Sequence, residues 1–572
     1  MQVQLEDSVI RDARRTAGES VPEDKVQKGF DLRATILALV VLFGIGLVVA
    51  RNITTGEFNL NVDETSHAGT GLYFSDLLRD RPFLHPINYT YQYYAQYPML
   101  GVVHWPPLFY AVEGFWFCVL GPSVAAARLL VLVFALAGLF FLFKLVEELD
   151  GYWTALATTA LLGLIPSVLL YEKSVMLEVP SLALCLGATY FWVKYLWSGV
   201  SRYAYWFGLL AGLALLTKQN SIYLAPFCAL TAIAQGNPRL LIRPTTLRAA
   251  ALAGLVAAPA YALMYFFNWQ TIKGDLFSRG PVHAIGAARY TFYVRTLPHT
   301  LGWPLFVLSL LGILSAWWWA RTQTFRFMLM WILACFVTFT AIGWKEPRYV
   351  IYWLPPFVYF AAGMLAAGLR IRGLRVAAAV SLVLLVAVFA RKGWRYQRPY
   401  VSGYAATAKY VVKTADPGVI LFDGNLPGNL IFFMRAFDPG RRFIIARKAL
   451  WVERIEKRLG SMELIQTTPE LQDLIARLGI KYVVVDENAP QSYEIQARLR
   501  DLLNTPQFRL LQRFPIESNM QGWQGRWLAV YENTRAERVQ ARTFCVKSLN
   551  LSHEVCVPIS ASQRGRSAPA SN

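Results

Sequence analysis

Two carboxylates stand side by side at Asp63 and Glu64 in the stretch NVDETSH (61–67), which begins ten residues after an apolar run ends at Arg51. A carboxylate so placed can take the proton of a hydroxyl as that hydroxyl attacks carbon. Neighbouring residues on a helix point about 100° apart, so one acid can face a cleft while the other caps a helix or holds a neighbour. Further along, His104 precedes Trp105-Pro106-Pro107 in VHWPPLFY (103–110). The prolines stiffen the chain and fix where His104 and Trp105 project, as a binding site needs and as a plain helix start also would. Glu178 (in LYEKSVMLEVPSL), Lys218 (in LLTKQN) and Arg348-Tyr349 (in GWKEPRY) each lie at the end of an apolar run. Arginine can fork onto a phosphate, lysine can meet one or snorkel, and tyrosine suits the headgroup level.

Together these groups are an inventory for attack on a sugar held by a lipid phosphate. The carboxylate assists a poor hydroxyl nucleophile. The leaving group is already a stable anion and needs cations or a metal ion, not a general acid. His104 and the acids could hold a divalent cation, with His104 the candidate ligand, although no ligand spacing demands one.

The inventory works only if its members share one side of a membrane. The 572 residues are 55% hydrophobic and 16% charged, against about 25% charged in soluble domains. Eleven apolar segments read as spans: 32–50, 124–143, 153–171, 179–197, 203–217, 219–234, 247–267, 299–319, 326–343, 349–368 and 374–391. The segment 106–120 opens on two prolines and would reach only about 23 Å, short of a core about 30 Å thick, so it is expected to lie at the interface. With residues 1–31 as a cytoplasmic tail, the inner loops hold Lys194, Arg202, Arg239, Arg243, Arg248, Arg321, Arg326, Arg370, Arg372 and Arg375, the usual positive-inside bias. The large first loop, 51–123, then faces out with Glu178, the 343–349 segment and everything after 391. Loop 268–298 carries Lys273, Arg279, Arg289 and Arg295 on that outer side, open either to exemption from the charge rule or to contact with an anionic lipid. The net charge of +20 sits largely in membrane-flanking loops and a polar tail, so it does not point to nucleic acid.

The ordered stretches VDETSHAGTGLYFSDLLRD, HWPPLFYAVEGFWFCVLGPSVAAARLL, LYEKSVMLEVPSLAL and KEPRYVIYWLPP resemble the motifs of the C-type membrane glycosyltransferases, nearest the bacterial aminoarabinose transferases and the protein O-mannosyltransferases. The resemblance covers about 32–370. It implies a polyprenyl-phosphate sugar donor, an extracytoplasmic active site in a bacterial inner membrane, and inversion at the anomeric carbon. It also implies that Asp63 is the base, Glu64 the second acid of the pair and Glu178 the second-loop acid. His104 would touch a metal or phosphate, and Arg348 and Tyr349 would contact the lipid phosphate. The residue just before Pro-Pro is Lys in the aminoarabinose branch and Trp105 here, which removes one expected phosphate cation. The acceptor is left open between a glycolipid, a polysaccharide and a protein. A transporter or flippase for an anionic lipid is the competing reading, weakened by the lack of a convincing internal repeat and by the scarcity of mid-span charges.

The expected fold is therefore an α-helical polytopic membrane protein of about 11 transmembrane helices over 32–391, with a soluble α/β domain appended at 392–545 and a disordered tail from 546 to 572. GVILFDG (418–424), IKYVVVDE (480–487) and RWLAVYEN (526–533) read as strands, and 470–479 and 492–504 as helices. DGNLPGN (423–429) reads first as a strand-to-helix loop. Four cysteines lie in apolar segments, while Cys545 and Cys556 stand apart and could pair in an oxidising compartment.

Overall fold

An apolar segment in lipid must satisfy its own backbone, and the helix does so locally. In the computed structural model, which describes residues 32–58, 62–101, 104–277, 287–453, 461–547 and 554–559, the apolar runs are helical. In chain order they are α1 (Leu32–Ala50), α2 (Val62–Asp80), α3 (Pro86–Gln96), α4 (Leu108–Leu120), α5 (Val124–Asp150), α6 (Tyr152–Gly163) and α7 (Pro166–Glu172). There follow α8 (Glu178–Ser198), α9 (Ser201–Leu215), α10 (Leu224–Ala234), α11 (Pro244–Phe277), α12 (Ala287–Leu301) and α13 (Trp303–Trp319). The last membrane elements are α14 (Thr322–Ala341), α15 (Leu354–Gly368) and α16 (Arg375–Arg395). The chain divides into two compact units, Met1–Val40 and Val41–Asn572. The first is described only over the opening of α1; the second holds every other element. The expected amino-terminal tail, 1–31, lies outside the described residues.

Among the described residues seven helices are long and apolar enough to cross a membrane, and nine spans result if two bent pairs each count once. The pairs are α6 with α7, bent by 71°, and Tyr290–Leu301 with α13, bent by 116°. The other two expected spans, 203–217 and 219–234, are helices of 15 and 11 residues, shorter than the roughly 20 residues that cross a bilayer core. The expected loop 268–298 is mostly helix, because α11 continues to Phe277 beyond a break in helical geometry at Asn268; residues 278–286 lie outside the described set. Helix α4 has 13 residues and reaches about 20 Å, too short to span. It lies along α2 in the same direction, with His67 beside Tyr110, Phe74 beside Gly114 and Ser75 beside Cys118. Gly114 permits this approach: a Cβ there would stand 2.8 Å from the Phe74 carbonyl carbon and the Ser75 nitrogen. Backbone cannot yield as a side chain can. Gly114→Val is expected to cost about 1–3 kcal/mol as an overpacked seam, read as earlier thermal unfolding in detergent.

After α16 come β1 (Val401–Ser402), α17 (Tyr404–Thr414), β2 (Gly418–Asp423), α18 (Pro427–Phe437), β3 (Phe443–Ala446), β4 (Trp451–Glu453) and β5 (Ser461–Glu463). They are followed by α19 (Thr468–Arg477), β6 (Tyr482–Glu487), α20 (Glu494–Leu503), β7 (Phe508–Pro515), β8 (Glu517–Ser518), β9 (Trp527–Asn533), β10 (Thr543–Val546) and β11 (Val555–Pro558). The main sheet has the order β3-β2-β6-β9-β7, with β2 parallel to both β3 and β6 and with β9 antiparallel to β6 and β7. Its apolar run Val419, Leu421, Val483 and Val485 packs against Leu471, Leu474, Leu499 and Leu502 of α19 and α20. The expected disordered tail gives way, up to Ile559, to the hairpin β10–β11, closed by a Cys545–Cys556 disulfide and packed into the same core through Phe544, Val546, Val555 and Val557. Alternating apolar residues give that hairpin a buried face. Residues 560–572 lie outside the described residues.

This domain and the first loop are packed together. Ala95, Tyr91 and Tyr94 of α3 belong to or pack on its core. Arg435 of α18 donates through Nε to the buried Asp76 carboxylate of α2 at 2.8 Å, and Phe432 meets Phe58 edge-on with ring centres 4.9 Å apart. Gly428, at the start of α18, lies so close to Thr65 that a Cβ would stand 2.3 Å from its hydroxyl oxygen. The Glu57 carboxylate accepts from the backbone N–H groups of Gly403, Tyr404 and Ala405 at 3.1, 3.1 and 2.8 Å, capping α17.

Candidate active site

Four chain segments converge near the start of α2. Leu108 N–H donates to the Leu216 carbonyl at 2.9 Å, which fixes the Pro-Pro entry of α4 against the end of α9 and places Trp105 beside Lys218. The start of α8, the turn after α9 and the short 3₁₀ turn Pro347–Trp353 are joined by hydroxyls: Ser181 Oγ to Ser221 Oγ at 2.8 Å, and Tyr352 Oη donating to Ser181 Oγ at 2.9 Å. Glu178, Lys218 and Arg348 project from these three pieces into one buried cluster.

Arg348 bridges the two acids. Its Nη1 donates to Asp63 Oδ2 at 2.6 Å and its Nε lies 3.3 Å from Glu178 Oε1. Lys218 Nζ donates to the same Glu178 oxygen at 2.6 Å. The ammonium also sits 5.1 Å from the Trp105 ring centre and 5.7 Å from that of Tyr349. Two carboxylates thus balance two cations. Burial alone would raise the Asp63 carboxyl, but Arg348 outweighs it, with help from His67 and Lys218, and holds it below its ordinary 3.8.

Of the residues singled out in sequence, Asp63, Glu178, Lys218, Arg348 and Tyr349 therefore meet. Glu178 here holds cations in place and touches both of them. Glu64 does not join the cluster. The turn of the helix carries it about 100° away, where it is fully buried. There Arg128 Nε donates to its carboxylate at 3.4 Å and Val175 N–H at 3.1 Å, and Arg398 lies 3.6 Å away. Its carboxylate ties α2 to α5, to the 173–177 turn and to Arg398. His104 lies at the cluster's edge, its ring 4.7 Å from that of Trp105 and its carbonyl accepting from Gln219 at 3.5 Å. Burial pushes its imidazole below the ordinary value, so near neutral pH it offers a phosphate a neutral N–H, not a cation. Among the described residues no group of three or more His, Cys, Asp or Glu is placed to hold a metal ion. Glu172 and Lys173, in the same stretch as Glu178, are both buried, and the lysine donates to the Arg51 and Gly393 carbonyls at 3.2 and 3.4 Å. Sequence reasoning passed over His67, one helical turn after Asp63 on the same face; that i,i+4 spacing was the available signal.

Residues 104–263 match the family model described as dolichyl-phosphate-mannose-protein mannosyltransferase. The comparison with curated proteins gives no match. Among solved structures the chain is similar to ArnT from Cupriavidus metallidurans bound to undecaprenyl phosphate, at 14% identity and a TM-score of 0.57, over 89% of this chain and 99% of that one. It is also similar to the arabinofuranosyltransferase AftD from mycobacteria, at 13% identity and a TM-score of 0.51, over 89% of this chain and 40% of that one. An oligosaccharyltransferase of Archaeoglobus fulgidus in complex with Zn and sulfate aligns at 13% identity and a TM-score of 0.50, over 79% and 68%. The fold is that of the C-type membrane glycosyltransferases, as the ordered motifs imply.

Proposed function

We propose that the protein is an integral membrane glycosyltransferase that moves one sugar from a polyprenyl-phosphate carrier to an extracytoplasmic acceptor with inversion. The observation that carries this reading is the Arg348 bridge between Asp63 and Glu178 beside Lys218. In the reaction the Asp63 carboxylate takes the proton of an acceptor hydroxyl whose oxygen bonds to the anomeric carbon. The bond from that carbon to the phosphate oxygen breaks on the opposite face. Arg348 and Lys218 hold the released phosphate charge, Glu178 keeps the two cations in register, and Tyr349 lines their site. The similar ArnT structure, with undecaprenyl phosphate bound, supports the carrier. The basic inner loops support a cytoplasmic amino terminus, and the Cys545–Cys556 disulfide supports an extracytoplasmic last domain.

Proteoliposomes of the purified protein, given radiolabelled polyprenyl-phosphate-linked mannose, arabinose and aminoarabinose in turn and membranes from a deletion strain as acceptor, should move label into the acceptor fraction. Movement of intact lipid across the bilayer with no covalent change, read by the mass of the lipid product, would replace this reading with a flippase.

A further inference from the structure

His67 is almost fully buried at the candidate site. Its Nδ1 and the Tyr110 hydroxyl are 2.7 Å apart, with the two rings stacked at 5.7 Å between centres. That bond joins the two stretches NVDETSH and VHWPPLFY across the α2–α4 seam. It also fixes the ring about its last free torsion, and Tyr110 itself is pinned between His67 and Phe74. Nε2 lies on the far flank of the ring from that bond and has no hydrogen-bond partner among the described residues. That nitrogen keeps its hydrogen-bonding capacity for a group that arrives with the substrate.

The surrounding order suggests what meets it. The Trp105 ring lies 6.0 Å centre to centre from His67 and its centre is 5.1 Å from the Lys218 ammonium. Cations suited to the carrier phosphate and the His67–Tyr110 pair thus border the same indole. A sugar attached directly to that phosphate lies within reach of the imidazole. Burial pushes the His67 imidazole down to about 4, with Asp63 and Glu178 pulling it up and Lys218 and Arg348 pulling it down. At neutral pH it is uncharged. Such a group pairs with a hydroxyl, which donates and accepts, better than with an ammonium or a carboxylate.

We infer that His67 recognises the transferred sugar, its Nε2 making a hydrogen bond to a ring hydroxyl while Tyr110 holds the imidazole in place. The inference rests on the glycosyltransferase reading and adds a specificity residue to it. It assigns the donor to the hydroxylated sugars at the position His67 reaches.

The test separates the sugar from its carrier. His67→Leu should lower kcat/KM for the labelled lipid-linked sugar that the wild type uses by about 10- to 100-fold, the usual cost of leaving a buried partner unmet. Binding of undecaprenyl phosphate, which has no sugar, should stay within about threefold by tryptophan fluorescence titration. His67→Gln, which keeps a donor and an acceptor, should recover to within about fivefold of the wild type. Transfer by His67→Leu within threefold of the wild type, equal loss of carrier binding, or Gln performing no better than Leu would each overturn the assignment. A wild-type protein that transfers none of the labelled sugars would instead remove the glycosyltransferase reading on which it rests.

Discussion

Asp63→Asn is expected to lower sugar transfer by roughly 10³-fold, within the range general-base catalysis supplies, while thermal unfolding in detergent stays near that of the wild type. The Asp63 side chain is 29% exposed, so losing its charge costs the fold little, but an amide cannot take the proton of the attacking hydroxyl. Retained transfer would remove Asp63 from its role. The Arg348 ion pair adds a dependence on pH. In the free protein the Asp63 carboxyl is held below its ordinary 3.8 by Arg348 and its neighbours, so the ionised base is present above that depressed value and lost only below it. When a carrier phosphate draws Arg348 away, that stabilisation weakens and the carboxyl rises. The acid limb of kcat, which reports the complex, should therefore lie at higher pH than the limb of kcat/KM, which reports the free protein. Arg348→Gln should bring the two limbs together by raising the lower one.

The adjacent acid should behave in the opposite way. Glu64→Gln is expected to destabilise the fold by about 3–5 kcal/mol, the cost of breaking a buried charge pair from one side. It leaves Arg128 and Arg398 in a buried hub without their shared carboxylate. Arg128 also donates to the Ile53 and Glu57 carbonyls at 2.9 and 2.6 Å, and Arg398 to those of Thr55 and Lys173 at 2.5 and 3.2 Å. The loss should therefore loosen the whole 51–57 turn. Its readout is a lowered unfolding temperature, with transfer per folded molecule reduced far less than in Asp63→Asn. Equal thermal stability in the two variants would contradict this division of labour.

Much of this arrangement was legible in the residues themselves. Long apolar runs report spans because lipid leaves the backbone one local solution, and α4 was readable as a short helix because two prolines set its start. Asp63, Lys218 and Arg348 stood out because charges beside apolar runs are costly and few. The different fates of Asp63 and Glu64 followed from helix geometry, but which acid faced which way depended on Arg128, 64 residues further on. His67 offered only its i,i+4 spacing from Asp63, because its hydrogen-bond partner, Tyr110, is 43 residues away. The tail hairpin escaped notice because its strands are four residues each, too short for alternation to show above the polar residues around them. Nothing in the local pattern of PGNLIFFMRAF announced that this helix would lie along α2.

That last contact changes what counts as a separable piece. The helix bearing Asp63 is gripped by α18, through Thr65 on Gly428 and Asp76 on Arg435, so the membrane part and the carboxyl-terminal part meet on one helix. Grafting the soluble portion of a relative onto these spans would exchange half of a matched joint. Such a hybrid would be expected to work only if residues 62–80 travel with it.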